Sequence, residues 1–321
     1  MSKRIVVTDH EFEQLTEEAR IASEVGARFE VYQATDRDAA LAATRGADVV
    51  LTNYAPMDRE VLAGLAERAV VIRYGIGFDN VDIEAARELG VRVCNVPDYG
   101  ASTVADHTVM LVLATLRRCL DLHSRIVGEP DGWGQASDLG PVLDLADAVH
   151  GLVGAGQIAR HVAHRMQAFG TTVIASDPYA DAAALAEQGI ELVPLEELLR
   201  RADIVSLHAP LTPETHHIIG AEQLDAMKPG AIVVNTARGP LLDTVAAARA
   251  LQGGRLGGLG LDVFETEPLE PGHPLRSAPR ALLTPHAAFY SQRALHNLQL
   301  FAAEEAGRAC RGEALRCEVT R

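Results

Sequence analysis

The sequence predicts an α/β fold made of two doubly wound parallel-sheet domains with a cleft between them. Three observations predict it. Short β-branched runs alternate with helical patterns along nearly the whole chain, and strand–helix–strand crossovers of that kind build a parallel sheet covered on both faces. The runs fall into two series separated by a long helical stretch. A length of 321 residues is enough for two cores of ordinary size.

In the first series Ile5–Val7, Phe29–Tyr32, Asp48–Leu51, Val70–Ile72 and Val91–Val93 read as strands. Ser102 and Thr103 then offer helix caps, with Asp106 in capping-box spacing from Thr103, and the helix is expected to run to about Arg125 with its arginines at the negative end of the dipole. Its apolar run, Val109–Leu116, is bracketed by Asp106, His107, Arg117 and Arg118 and falls far short of the ~20 residues of a membrane span. Gly128, Pro130, Gly132 and Gly134 make 128–138 a loop. The second series is Gly151–Val153, Thr172–Ile174, Ile204–Leu207, Ala231–Val234, Leu259–Val263 and Leu282–Leu283. A last helical stretch, Ser291 to about Cys310, is expected to return to the first domain. The expected domains are therefore 1–100 plus 291–321, and 101–290.

Composition narrows the functions. With 48% hydrophobic and 23% charged residues the chain is globular. A formal net charge of −15 argues against nucleic acid, whose phosphates require a basic face. Four cysteines without CxxC spacing, and an opening without an apolar h-region, favour reduced thiols in the cytoplasm, with no membrane partner. An anionic ligand would have to be held by a few placed arginines and backbone N–H groups.

One loop points to a dinucleotide. A strand at Gly151 runs into Gly154-Ala-Gly156-Gln-Ile-Ala159, a helical segment follows, and the next strand ends at Asp177. In this GxGxxA fingerprint of a Rossmann unit, Gly154 makes the tight turn, Gly156 admits the pyrophosphate, and small Ala159 lets helix and strand approach. Asp177 has the position to hold the adenosine ribose hydroxyls, and no arginine in 177–181 welcomes a 2′-phosphate, so NAD is expected rather than NADP. A plain glycine turn with a strand-terminal aspartate is the bland alternative.

Three further strand ends carry chemistry: Arg238 in NTARGP, Glu267 in DVFETEP and His286 in TPHAA. Reduction of a 2-oxo acid needs a cation for the carboxylate and carbonyl, a proton donor, and a group that keeps the donor protonated. Taken singly, Arg238 could be an ion-pairing arginine, Glu267 a turn carboxylate and His286 a half-buried histidine. His161 with His164, and His216 with His217, lack the carboxylates or thiols of a metal site, so no metal is expected.

With RYGIGFDNVD from Arg73 to Asp82, the glycine loop, HAPLTPET from His208 to Thr215, and the three strand ends just named, nearly the whole chain resembles the D-isomer-specific 2-hydroxyacid dehydrogenases. The runs at Asn95–Tyr99 and His286–Ser291 resemble the branch of the C-terminal binding proteins and their bacterial dehydrogenase relatives. The resemblance implies two Rossmann- or flavodoxin-like domains with the active site in the cleft, the substrate domain being the N-terminal one completed by the final helix. It implies Arg238 as substrate-binding arginine, His286 as acid/base and Glu267 as its partner. It places Gly154, Gly156, Gln157, Ile158, Asp177, His208, Pro210, Thr215, Thr236, Ala237 and Asp262 on the cofactor. Gly75, Ile76 and Gly77 would bind the substrate carboxylate through backbone N–H groups, with Tyr54, Arg73, Tyr99 and Tyr290, beside Tyr74 and Phe289, shaping the side-chain pocket. It also implies a homodimer through the helix near Val104 to Arg125. The chain departs from the family pattern at Ala159, at Pro240 and in the entry to the glycine-loop strand at 145–150.

Two other functions remain open at this point. A dinucleotide-sensing regulator would bind NADH without appreciable turnover. A phosphite or formate oxidase would share the scaffold, although a formate enzyme pairs its histidine with glutamine, against Glu267.

Overall fold

The computed structural model describes residues 2–128, 132–135 and 140–320, so part of the 128–138 loop lies outside the described residues. The chain divides into two compact units, one of Met1–Gly100 with Tyr290–Arg321, the other of Ala101–Phe289.

The first unit carries five parallel strands in the order β2-β1-β3-β4-β5. These are β1 (Arg4–Val7), β2 (Arg28–Val31), β3 (Val49–Thr52), β4 (Val70–Arg73) and β5 (Arg92–Cys94). Both faces are covered, so β3 reads VVLT with every residue buried, where a one-sided strand would alternate. Helix α1 (Thr16–Glu24) packs against the last helix, α12 (Gln292–Arg311). Ser291 starts α12 by accepting a hydrogen bond from Ala294 N–H, and Gly312 ends it with a left-handed φ of +71°.

The second unit carries seven parallel strands in the order β12-β11-β10-β9-β6-β7-β8. These are β6 (Val149–Val153), β7 (Thr172–Ser176), β8 (Ile190–Leu192), β9 (Ile204–Leu207), β10 (Ile232–Asn235), β11 (Gly258–Leu261) and β12 (Ala281–Leu283). The chain winds one way over β6–β8 and the other way from β9 onward, which makes β6 and β9 the switch point, where ligands bind doubly wound sheets. Strand β8 is an addition to the sequence reading: three residues with a central exposed glutamate leave too little apolar periodicity to register.

One expectation is corrected. The helix after the first sheet begins at Ala101 and ends at Leu116 (α5), and a separate helix, α6, runs Cys119–Gly128. Arg118 turns the chain with φ +52° and its Nε donates to Asp121, so the arginine pair breaks the helix instead of finishing it. Ser102 and Thr103 lie inside α5 and do not cap it; Ser102 Oγ accepts from Arg165 Nη2 of α7 (Gln157–Ala168) at 2.8 Å.

Candidate active site

The C-terminal ends of β10, β11 and β12 deliver Arg238, Glu267 and His286 into one neighbourhood of the second unit. Asn235, the last residue of β10, bends the chain by local bonds: its Oδ1 accepts from Ala237 N–H at 3.0 Å and its Nδ2 donates to Arg238 O at 2.8 Å. Gly239 then passes so close to the next loop that an added Cβ would lie 1.9 Å from the Phe264 carbonyl carbon. Only glycine permits that approach, which holds the Arg238 loop against the Glu267 loop.

The 262–268 loop carries three carboxylates, each with a different partner. Asp262 is fully buried. Its oxygens accept from Ala287 N–H at 2.9 Å, Ala288 N–H at 2.8 Å and the Thr284 hydroxyl at 2.5 Å. Since Thr284 gives its one proton to Asp262, it must accept from His107 Nε2–H, 3.0 Å away. Glu265 accepts from both the N–H and hydroxyl of Thr244, at 3.0 and 2.6 Å, and pairs with His217 at 2.9 Å. Glu267 Oε1 accepts from Phe264 N–H at 2.9 Å, and Oε2 faces His286 Nδ1 at 2.7 Å.

His286 therefore sits between two anchors. Its N–H donates to Asp262 O at 2.7 Å and supports a left-handed φ of +51°, while Glu267 fixes its ring. With Nδ1–H given to Glu267, Nε2 is the atom left to exchange a proton. Histidine and glutamate side chains keep 33% and 35% of their surface accessible, enough for a small ligand to reach. Burial pushes the Glu267 carboxyl up, but the hydrogen bonds from His286 and Phe264, with the positive charges of His286 and Arg238, outweigh it and hold the group below its ordinary range. That coupling also locates Arg238 within electrostatic reach of Glu267. Arg238 Nη1 donates to Ala237 O at 2.6 Å.

At the switch point Gly154 turns with φ +94°, and an added Cβ would lie 2.8 Å from Ala209 N and 2.9 Å from His208 C. Gly156, by contrast, opens on space: an added Cβ meets nothing within 4 Å. Gly156 leads into α7 without a capping side chain, so no side chain competes with an anion for the N–H groups of the first turn. Gln157 is exposed and Ile158 half-buried beside it. Asp177 accepts from Ala155 N–H and from Tyr179 N–H, each at 2.9 Å, one on either oxygen, which leaves further lone pairs for a ligand. His208 and Ala209 follow β9, and Thr215 knits the next loop by donating to Pro210 O at 2.7 Å. Thr236 is buried and bonded to Thr108 of α5 at 2.7 Å, with Ala237 half-buried after it. The glycine turn, an uncapped helix start and a carboxylate at the next strand end together fit a dinucleotide.

The first unit holds the remaining expected residues. Gly75 has φ +127° and is crowded by the Arg73 guanidinium, with the Tyr99 hydroxyl 3.8 Å from an added Cβ. The loop is pinned by Val96 N–H on Gly75 O at 2.9 Å and by Asn95 Nδ2 on Ile76 O at 2.7 Å, with Gly77 half-buried beyond. Tyr54 is half exposed after β3, and Tyr290 is exposed before α12. The sequence reading missed Asp9, whose carboxylate accepts from Asn53 and Tyr54 N–H at 3.0 and 2.6 Å and so sets the Tyr54 loop. It also missed the bracing by His107, Thr244 and His217, because nothing in their local sequence names their distant partners.

The family model for the D-isomer specific 2-hydroxyacid dehydrogenase NAD-binding domain matches residues 109–288. The chain is 40% identical over 279 residues to a D-3-phosphoglycerate dehydrogenase of Mycobacterium bovis, covering 87% of this chain and 52% of the relative. It thus spans about half the length of that protein. It is 39% identical over 261 residues to a glyoxylate reductase of Korarchaeum cryptofilum, covering 80% and 78%. The crystal structure of the TT0316 protein from Thermus thermophilus superposes with a TM-score of 0.86 at 37% identity, over 98% of this chain and 99% of that one. With the matching family model, two parallel sheets and the motifs in order, the chain belongs to the D-isomer-specific 2-hydroxyacid dehydrogenase family.

Proposed function

We propose that the protein is an NAD-dependent oxidoreductase that interconverts a small 2-oxo acid and its D-2-hydroxy acid, with His286 as general acid/base. The observation that carries this reading is the 2.7 Å contact of His286 Nδ1 with Glu267, at the sheet edge whose neighbouring loop carries Arg238. The relatives named above act on glyoxylate and on 3-phosphoglycerate, both 2-oxo or 2-hydroxy acids in the sense required.

When bound, the nicotinamide donates or accepts the hydride. The protein's own residues do the rest. Gly154, Gly156, Gln157 and Ile158 hold the pyrophosphate at the start of α7, Asp177 takes the ribose hydroxyls, and His208, Pro210, Thr215, Thr236 and Ala237 line the remainder. Asp262, buried and already bonded to 284–288, serves this site by fixing the loop on which His286 rides. Arg238 binds the carboxylate and polarises the carbonyl. In the N-terminal, substrate-binding unit the N–H groups of Gly75, Ile76 and Gly77 would hold a carboxylate, and Tyr54, Arg73, Tyr99 and Tyr290 would select a side chain. In reduction His286 Nε2 donates the proton that the forming alkoxide takes up; in oxidation the neutral ring accepts it. Glu267 holds the ring in place through its contact with Nδ1.

NAD is preferred over NADP because 177–181 offers no arginine or lysine to neutralise a 2′-phosphate. A cytoplasmic homodimer is the proposed assembly: α6 buries none of its residues in its own unit and leaves Leu120, Ile126 and Val127 exposed, as α5 leaves Met110. No described helix is long and apolar enough to cross a membrane. A panel of 2-oxo acids followed by NADH absorbance tests the function. Oxidation of NADH with at least one acid, faster than of NADPH at matched low concentration, supports it. Tight NADH binding with no turnover across the panel would instead favour a regulator.

A further inference from the structure

On the sheet face covered by α5 and α7, three side chains form a string, and two of them, His150 and Ser206, have no part in the chemistry above. His150, on β6, is completely buried. Its Nε2 lies 2.8 Å from Ser206 Oγ on neighbouring β9, and the same oxygen lies 2.8 Å from His208 Nε2. Burial pushes both imidazoles down to about 3, the charge of His208 adding to the effect at His150. Each ring is therefore neutral near pH 7 and carries one ring proton.

A hydroxyl has one proton to give, so Ser206 donates to one histidine and accepts from the other. Two arrangements satisfy that rule, and His150 Nδ1 discriminates between them. This atom is buried with no hydrogen-bond partner. A proton on it would leave an orphaned N–H in an apolar core, the rarer and costlier fault in folded proteins. The His150 proton accordingly belongs on Nε2, from which it is donated to Ser206. Ser206 then donates to His208 Nε2, and the His208 proton must be on Nδ1. His208 is only half-buried, and its backbone lies under the Gly154 turn.

We propose that His150 is a positioning residue that acts through Ser206 to fix His208 as the Nδ1–H tautomer, so that His208 presents an N–H donor to an acceptor atom of the bound dinucleotide. The donor role rests on the dinucleotide reading above; the tautomer does not. Imidazole ¹⁵N–¹H spectra of the full-length protein test the tautomer without ligand. The expected result is Nε2–H for His150 and Nδ1–H for His208, both persisting from pH 7 to pH 5. An Nδ1–H tautomer at His150, or an imidazolium at either ring by pH 6, overturns the proposal. His150→Leu removes the donor and should leave His208 a mixture of tautomers, with NADH dissociation constants raised about three- to tenfold, the worth of one neutral hydrogen bond. His150→Gln, whose amide nitrogen can take the place of Nε2, should restore both. A merely structural histidine would not move the His208 tautomer. Unchanged His208 spectra and NADH affinity in a folded His150→Leu protein refute the inference and leave the cofactor reading intact. Failure of the wild-type protein to bind NADH refutes the cofactor reading and the donor role with it.

Discussion

Glu267 spends its two oxygens differently: one ties the carboxyl to its own loop through Phe264 N–H, and the other faces the histidine ring. Glu267→Gln keeps the shape and the loop contact but replaces the carboxylate oxygen facing the ring with an amide. The ring then loses its anchor, and kcat for 2-oxo acid reduction should fall at least tenfold. An unchanged kcat in a folded, chemistry-limited variant would leave Glu267 as a turn residue. Arg238 is a matter of shape as well as charge. A lysine lacks the planar fork that grips a carboxylate and reaches its neighbouring carbonyl, so Arg238→Lys should lower kcat/KM by roughly 30- to 1000-fold, or about 2–4 kcal/mol. Steady-state kinetics within threefold of wild type would refute that role.

Loop ends assemble the site, and its parts were unequally legible in the sequence. Strand-forming runs and the glycine fingerprint are local patterns, so eleven of the twelve strands among the described residues, and the switch-point loop, are legible in the sequence. The break between α5 and α6 was not, because Arg117 and Arg118 are good helix formers and only the adopted φ of Arg118 ends the helix. The bracing of His286 by Asp262, Thr284 and His107 joins residues up to 177 positions apart and leaves no local mark. Gly239 shows how far such packing constrains a loop. Gly239→Ala places a methyl against the Phe264 carbonyl and must drive the Arg238 and Glu267 loops apart. Activity should fall at least tenfold and the melting temperature should drop; a variant with wild-type kinetics would show that the two loops need not touch.

For the molecule as a whole, two neutral histidines, His150 wholly and His208 half buried, make acid a destabilising agent. His150 and His208 are held at about 3 against 6.5 for a free imidazole, so the unfolded chain binds those protons first. Their contribution to stability is complete above about pH 6.5 and fades as pH falls toward 3, by about 1.4 kcal/mol per pH unit for each ring. Carboxylates pulled down by partners, such as Glu30 at about 2 beside Arg4 and Tyr32, add to the loss below their ordinary 4.5. Melting temperature should therefore fall between pH 7 and 5 and fall faster below, with a shallower upper slope in His150→Leu; a flat profile down to pH 5 would contradict the burial of neutral rings. Turnover of the intact protein bears on its chemistry most directly. With the best 2-oxo acid from the panel, NADH oxidation by His286→Asn should drop by a factor of about 10²–10⁴ while NADH binding, read by fluorescence, stays within a few-fold of wild type. Reduction at the wild-type rate by His286→Asn would contradict hydride transfer assisted by this histidine.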